Sequence, residues 1–400
     1  MARANGFHFL QIPGPTNVPD RILRAMAAPT MDHRGPAFQE LGRHVLQVVK
    51  PIFGTKSHVV IFPSSGTGAW EAALVNTLSP GDTVVMAETG HFSSLWTEMA
   101  KRLGLDVRVL PGDWRRGAQP EAIAAALDAD KERRIKAVCV VHNETSTGVT
   151  SRVGEIRKAI DATGHPALFM VDTISSLASI DYRQDEWKVD VTVAGSQKGL
   201  MLPPGISFNG ISEKALAAHK ASKMPRAFWD WTTQIKSNAD GMFPYTPATN
   251  LLYGLKEACA MLMDEGMANV FARHQRHGAA ARKAVAAWGL ETVCQDAREH
   301  SGSLTAVWLP EGVNADKLRA LILDKFDMSL GNGLSKLAGR AFRIGHLGAF
   351  SDLQLMGTLA GVEMGLKLFG VKLKASGIEA ALESLAAAAS ERGAVRHAAE

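Results

Sequence analysis

Between His58 and Phe208 the chain alternates short β-branched or apolar runs with amphipathic stretches, and this alternation limits its fold more than any other feature. A strand turns successive side chains to opposite faces and a helix buries one stripe. A repeated strand–helix pattern therefore builds a mostly parallel sheet covered by helices on its faces. The spacing predicts seven strands in one large sheet, at His58–Phe62, Thr83–Ala87, Asp106–Leu110, Ala137–His142, Ala167–Asp172, Val189–Ala194 and Ile206–Ile211. Helices between them carry their own stops. Thr67–Leu78 ends at Ser79-Pro80-Gly81, and Val153–Ala162 ends at Gly164-His165-Pro166.

After Pro247 the period lengthens into two helices, Ala248–Glu265 and Ala268–Trp288, broken at Gly266. Beyond them, Leu290–Cys294, Leu304–Leu309 and Phe342–Ile344 read as strands, and Ala315–Phe326, Asp352–Leu368 and Ile378–Glu391 as helices. The fold class expected is α/β, a large sheet domain followed by a smaller C-terminal α+β domain. The expected organisation is an N-terminal segment over 1–20, a large domain with connector helices over 21–280, and a small domain over 281–400. At about 150 residues per domain, a chain of 400 has room for this without disulfide or metal staples.

Composition removes several classes of function. Lys plus Arg is 44 against 40 acidic residues, and the tight basic pairs Arg115-Arg116 and Arg133-Arg134 stand isolated, so nothing tracks a nucleic-acid backbone. No apolar run approaches the length of a membrane span. Cys139, Cys259 and Cys294 lie too far apart in sequence for a disulfide framework or a CxxC metal site. A reducing compartment suits them. Met1–Pro15 lacks the apolar stretch of a signal peptide, and a cytoplasmic location is expected.

Ligands of open α/β sheets bind outside the carboxyl ends of the strands, so the residues just after each strand matter most. Pro63-Ser-Ser-Gly-Thr-Gly-Ala69 joins a strand to a helix, and its small residues let backbone N–H groups approach an anion, with Ser65 and Thr67 hydroxyls beside them. The same residues also make a plain helix cap with close packing. A helix terminus gives an anion at most about 2 kcal/mol, whereas micromolar binding needs about 8, so other anchors are required. Glu71 stands where a dinucleotide fingerprint needs a small residue. Asp172 ends the apolar run Leu168–Val171 and is either the cap of the turn holding Ser175 and Ser176 or a carboxylate put to use. Lys198 lies between an apolar strand and Leu200-Met-Leu-Pro-Pro204, where desolvation would lower its pKa and make it nucleophilic; most lysines are solvated surface. Arg343, inside the apolar run Phe342–Ile344, is either a carboxylate fork or half of an inter-domain ion pair. Together these groups form the set pyridoxal phosphate needs: a Schiff-base lysine, an acidic partner for the pyridinium nitrogen and a phosphate cup.

Ser65-Gly66-Thr67, Val140 to His142 with Asn143-Glu-Thr-Ser-Thr-Gly148, Val171-Asp-Thr, Gly195-Ser-Gln-Lys198 with Pro203-Pro-Gly205, and Phe342-Arg-Ile-Gly-His-Leu-Gly348 resemble the class V aminotransferases. The resemblance runs from about Pro13 to Leu368 and is strongest to the bacterial serine–glyoxylate branch, with alanine–glyoxylate enzymes as cousins. It implies the fold-type-I architecture of pyridoxal-phosphate transferases and a homodimer whose active site is shared across the interface. It also implies transfer of an amino group from a small L-amino acid, serine first, to glyoxylate, giving glycine and a 2-oxo acid. Aspartate or alanine is the alternative donor. Position by position, Lys198 resembles the Schiff-base lysine and Asp172 the pyridinium partner. Ser65, Gly66, Thr67 and Gln197 match the phosphate cup, and Thr246 the position that completes it from the neighbouring subunit. Phe92 matches an aromatic that stacks on the ring, where several relatives carry Trp. Ile174 would cover the other face, Thr145 would reach the ring hydroxyl, and Arg343 would bind the substrate carboxylate.

Other readings carry their own requirements. A cysteine desulfurase needs a mobile catalytic cysteine, for which Cys294 is the remaining candidate, Cys139 reading as strand and Cys259 as helix. A serine hydrolase needs a G-x-S-x-G elbow that the chain lacks. A non-catalytic relative of the fold would share the same composition. An aspartate donor would need a second cation, from His33-Arg34 or Arg226.

Overall fold

The computed structural model of the chain describes residues 6–397, with side chains through 390. Its large sheet has seven strands, ordered 58–64, 205–211, 191–195, 168–172, 135–141, 83–87 and 106–110. All run parallel to one another except 205–211, which is antiparallel to both of its neighbours. Each expected strand is present with its ends moved by at most two residues. The exception in direction has a local cause. Only residues 196–204 join strand 191–195 to strand 205–211, and a parallel crossover needs about a dozen residues or more. The chain must double straight back, and this tight return holds Lys198 against the carboxyl edge of the sheet.

Central strands 83–87, 168–172 and 191–195 are buried along their whole length, as strands covered by helices on both faces must be, whereas edge strand 106–110 is half exposed. One face of the sheet packs Phe38, Phe53, Phe169 and Phe208; the other packs Phe62, Trp70, Trp96, Met170 and Trp231. Helices 249–265 and 267–287 form the connector, broken at Gly266, whose φ of +81° suits a residue without a side chain.

The second sheet has five strands in the order 9–11, 328–332, 341–345, 304–308 and 291–292. Two of these were not expected from sequence. Met328–Asn332 is short and carries glycine and a polar end. Phe9–Gln11 pairs parallel with residues 328–330 even though more than 300 residues of chain separate them. The strand expected at Leu290–Cys294 shortens to Glu291–Thr292. Among the described residues no helix is long and apolar enough to cross a membrane.

Residues 9–16 therefore strap the second sheet to the first. Phe9–Gln11 belongs to one sheet, while Thr16 donates from its N to Gln197 O at 3.1 Å and from its hydroxyl to Lys198 O at 3.2 Å. Gly345 lets the strap pass, because a Cβ there would overlap the Ile12 carbonyl and lie 2.8 Å from Pro13 N. Both neighbours are backbone and cannot turn aside. Gly345→Ala is expected to cost about 1–3 kcal/mol of unfolding free energy in urea denaturation; unchanged stability would show that the strap does not pack there.

Candidate active site

A cavity of about 200 Å³ opens at the carboxyl ends of the parallel strands, lined by Ser65, Gly66, Thr67, Trp70, Phe92, Val141, Asn143, Thr145, Asp172, Ile174, Ser175, Gln197 and Lys198. Five strand ends deliver these residues. Strand 58–64 leads into Ser65, which opens helix 66–77 without a side-chain cap. Strand 83–87 leads to Phe92 in the first turn of helix 91–102. Strands 135–141, 168–172 and 191–195 lead to residues 143–145, 172–175 and 197–198. Gly66 leaves room for Ile174: a Cβ there would overlap the Ile174 side chain, with Ile174 Cγ1 2.7 Å away, and would force it to shift.

Asp172 and Lys198 follow the ends of adjacent strands, and both are buried. Asp172 Oδ1 accepts from Ile174 N at 2.7 Å and Oδ2 from Trp70 Nε1 at 2.9 Å. Burial raises its pKa to about 7; these two hydrogen bonds oppose the rise and the nearby Glu144 carboxylate adds to it. Lys198 moves the other way, to about 7, chiefly through burial and next through the Arg343 guanidinium. Its Nζ donates to the Pro13 carbonyl of the strap. Gly14 is tightly placed beside it, at φ +90° with any Cβ colliding with the lysine side chain. A neutral amine is thus available close to neutral pH.

Arg343 stands one residue behind the cavity wall. Its Nη1 donates to Thr145 O at 2.9 Å and its Nε to Asn332 O at 2.7 Å, so it bridges the two sheets through backbone carbonyls and not through the ion pair weighed above. Burial lowers its pKa to about 10, which leaves it a cation. Glu144 is fully buried, and its carboxylate accepts from Ser146 N and Oγ at 3.1 and 2.6 Å and from Phe92 N and Ser93 N at 3.3 and 3.1 Å. It thereby caps the helix that carries Phe92. Thr145 donates its hydroxyl to Ser175 Oγ at 2.7 Å.

Of the residues singled out in the sequence, Ser65, Gly66, Thr67, Phe92, Thr145, Asp172, Ile174, Gln197 and Lys198 meet at one cavity. Arg343 adjoins it, and Thr246 is exposed and outside its lining. Asp172 does cap the turn that holds Ser175 and Ser176, its Oδ1 taking the Ile174 amide two residues on, while its Oδ2 takes the Trp70 indole. Trp231 is core, wholly buried with its Nε1 on Asn209. Sequence reasoning passed over Trp70, Glu144 and the Pro13–Gly14 strap. Trp70 left a signal, as the one large aromatic in Gly66–Ala73, since a buried indole N–H usually finds an acceptor. No cysteine lines the cavity, and burial raises the Cys259 and Cys294 thiols to about 12, which leaves no activated sulfur.

Residues 8–344 match the family described as Aminotransferase class-V. The chain is 50% identical over 386 residues to a serine–glyoxylate aminotransferase of Methylorubrum extorquens, covering 95% of this chain and 96% of that protein. It is 43% identical to an L-aspartate–glyoxylate aminotransferase of Paracoccus denitrificans, covering 93% and 94%. Among solved structures, ureidoglycine–glyoxylate aminotransferase from Bacillus subtilis superimposes with a TM-score of 0.89 at 28% identity, over 96% of this chain and all of the other.

The charges around Lys198 give a signed test. Competitive acetylation should find its amine titrating near 7 and not near 10.5. Arg343→Gln removes a cation and should raise that value; Asp172→Asn removes an anion and should lower it further. An amine titrating like a surface lysine in all three proteins would contradict the site as described.

Proposed function

The chain belongs to the class-V aminotransferases, and from that membership we propose that it moves an amino group from serine to glyoxylate with pyridoxal phosphate as cofactor, yielding hydroxypyruvate and glycine. The observation that carries this reading is the meeting of Asp172 and Lys198 in one cavity, at the ends of adjacent strands, each with its pKa drawn to about 7. The residues present fit the cofactor. Gln197 lines the cavity beside a helix start that no side chain caps. Its amide N–H groups and the free N–H groups of that helix start are donors that suit a phosphate. Asp172, buried with neutral donors on both oxygens, lacks a cationic N–H of the kind a protonated pyridine supplies.

Ser65, Gly66, Thr67 and Gln197 would hold the phosphate, Asp172 the ring nitrogen, Phe92 and Ile174 the ring faces, and Thr145 the ring hydroxyl through its free lone pairs. Lys198 would carry the cofactor on its Nζ. When bound, pyridoxal phosphate supplies an aldehyde carbon for the amino group and a protonated ring that draws charge from the substrate Cα. Lys198 Nζ, neutral near pH 7, takes the Cα proton and returns it, and the Pro13 carbonyl gives the amine a fixed acceptor. Asp172, in its ionised form, would hold the charge beside it in place. Arg343, anchored through Nε and Nη1, has Nη2 left to orient a substrate carboxylate. The strap and the second sheet keep water from the amine. The reading includes a cytoplasmic homodimer in which Thr246 of the neighbouring copy completes the phosphate cup, and domains divided near residue 280.

Serine is favoured by charge. Among the described residues of one copy, Asp172 and Lys198 are the ionisable residues that line the cavity, with Arg343 behind them. Within that copy the candidates for the second cation an aspartate donor requires stand elsewhere. Arg226 is held by Asp230 Oδ2 at 3.2 Å, by Ser222 and by backbone carbonyls, and neither His33 nor Arg34 lines the cavity. The aspartate-using relative keeps that donor as the second reading.

The test is threefold. Borohydride reduction in the presence of pyridoxal phosphate, followed by peptide mapping, should place the cofactor on Lys198. Lys198→Ala should lose transamination by at least about a thousandfold and Asp172→Asn by about a hundredfold or more, both remaining folded. Initial rates against glyoxylate should rank serine above alanine and aspartate, with ping-pong kinetics. Label on another residue would overturn the site, and a faster aspartate rate would overturn the donor.

A further inference from the structure

The indole of Trp70 is buried, and its position in helix 66–77 aims Nε1 at Asp172 Oδ2, 2.9 Å away. The helix is built to allow this approach. Gly66, Gly68, Ala69, Ala72 and Ala73 leave Trp70 as the single bulky group near that end, and all but Gly68 are buried. Trp96 lies against Trp70 with ring centroids 6.0 Å apart and planes 13° from parallel, which fixes the indole from the far side. Trp96 Nε1 has no hydrogen-bond partner among the described residues, so the pair holds one directed donor and one ring that only packs.

We propose that Trp70 is a positioning residue that fixes the rotation of the Asp172 carboxylate and favours its ionised form for the cofactor's ring nitrogen. The proposal rests on the reading that Asp172 partners that nitrogen. The Ile174 amide takes Oδ1 and the indole takes Oδ2, so the carboxylate cannot rotate without breaking a buried bond, and each oxygen keeps a lone pair for one more donor. Both donors are neutral. They stabilise the anion without neutralising it, unlike an arginine, which would compete with the ring for the charge. The other groups facing Asp172 are Glu144, which opposes its ionisation, and Lys198, which favours it. His142 adjoins through its backbone N on Asp172 O, and burial lowers its ring to about 4, so it stays neutral.

Trp70→Phe removes the donor and keeps most of the packing; Trp96→Phe perturbs the same stack and leaves the donor. In the cofactor-free protein, ¹³C NMR of labelled aspartate, with Asp172→Asn for assignment, should show the Asp172 carboxyl titrating about one unit higher in Trp70→Phe than in the parent and unmoved in Trp96→Phe. A protonated Asp172 cannot pair with a pyridinium. Pyridoxal phosphate should therefore bind Trp70→Phe about fivefold more weakly at pH 7, and the deficit should shrink as pH rises past the shifted value. A purely structural loss would be independent of pH. If Trp70→Phe fails to fold, the β-(3-benzothienyl)alanine analogue at position 70, the same shape without the N–H, gives the same measurement. An Asp172 titration unchanged by either replacement, or an equal shift in Trp96→Phe, overturns the proposal. A parent protein that does not bind pyridoxal phosphate fails the functional reading instead, and that result is separate from the titration.

Discussion

Asp172 is a carboxylate at the end of an apolar strand, removed from water and given only neutral partners. Burying a charge that way is costly, and the usual remedy is an arginine or lysine in contact. The nearest cation, Lys198, is itself desolvated toward neutrality, so the pair does not cancel. The site thus holds an unfilled demand for a cationic N–H. The parallel strands bring the residues to one edge, the short 196–204 return keeps the lysine there, and the two neutral donors hold the carboxylate still. Each of these makes sense as support for that demand.

The second sheet serves the same edge from above, and it does so with backbone atoms. Pro13 O receives Lys198 Nζ, Thr145 O and Asn332 O receive Arg343, and Gly331 and Gly345 clear the path of residues 12–13. Carbonyl acceptors are fixed in direction by the chain and carry no charge to pair off, so they orient a lysine and an arginine without neutralising either. A carboxylate in any of those places would have paired with Arg343 and taken up its charge.

The large sheet was legible because its signal is local. Runs such as Val138–Val141 and Leu168–Val171 declare buried strands within a few residues, and two of the candidate residues stand just after such runs, Asp172 after Leu168–Val171 and Lys198 after strand 191–195. The strands at 9–11 and 328–332 were not legible, because their pairing joins opposite ends of the chain and neither is long or apolar enough to be seen alone. The strap over Lys198 shares that invisibility, since its contribution is the Pro13 carbonyl, which every residue possesses. Arg343 stood out from its apolar setting, but its partners, the backbone carbonyls of Thr145 and Asn332, leave no mark in composition. Glu144 was hidden for another reason. Within the motif Asn143–Gly148 it reads as one more polar residue, and only the fold shows it capping a helix that begins more than 50 residues earlier.

The electrostatic order of the site follows from these placements. Glu144 acts on both Asp172 and Arg343, disfavouring charge on the first and favouring it on the second. Arg343 in turn disfavours charge on Lys198. The sequence of influence runs from a capped carboxylate through a carbonyl-anchored guanidinium to a neutral amine, with each charge displaced from its natural counterion by one position. A conventional ion pair between any two members would be more stable locally and would leave the amine protonated or the guanidinium occupied. Offsetting the partners is what keeps a base, an anion and a cation usable within one small cavity at the same pH.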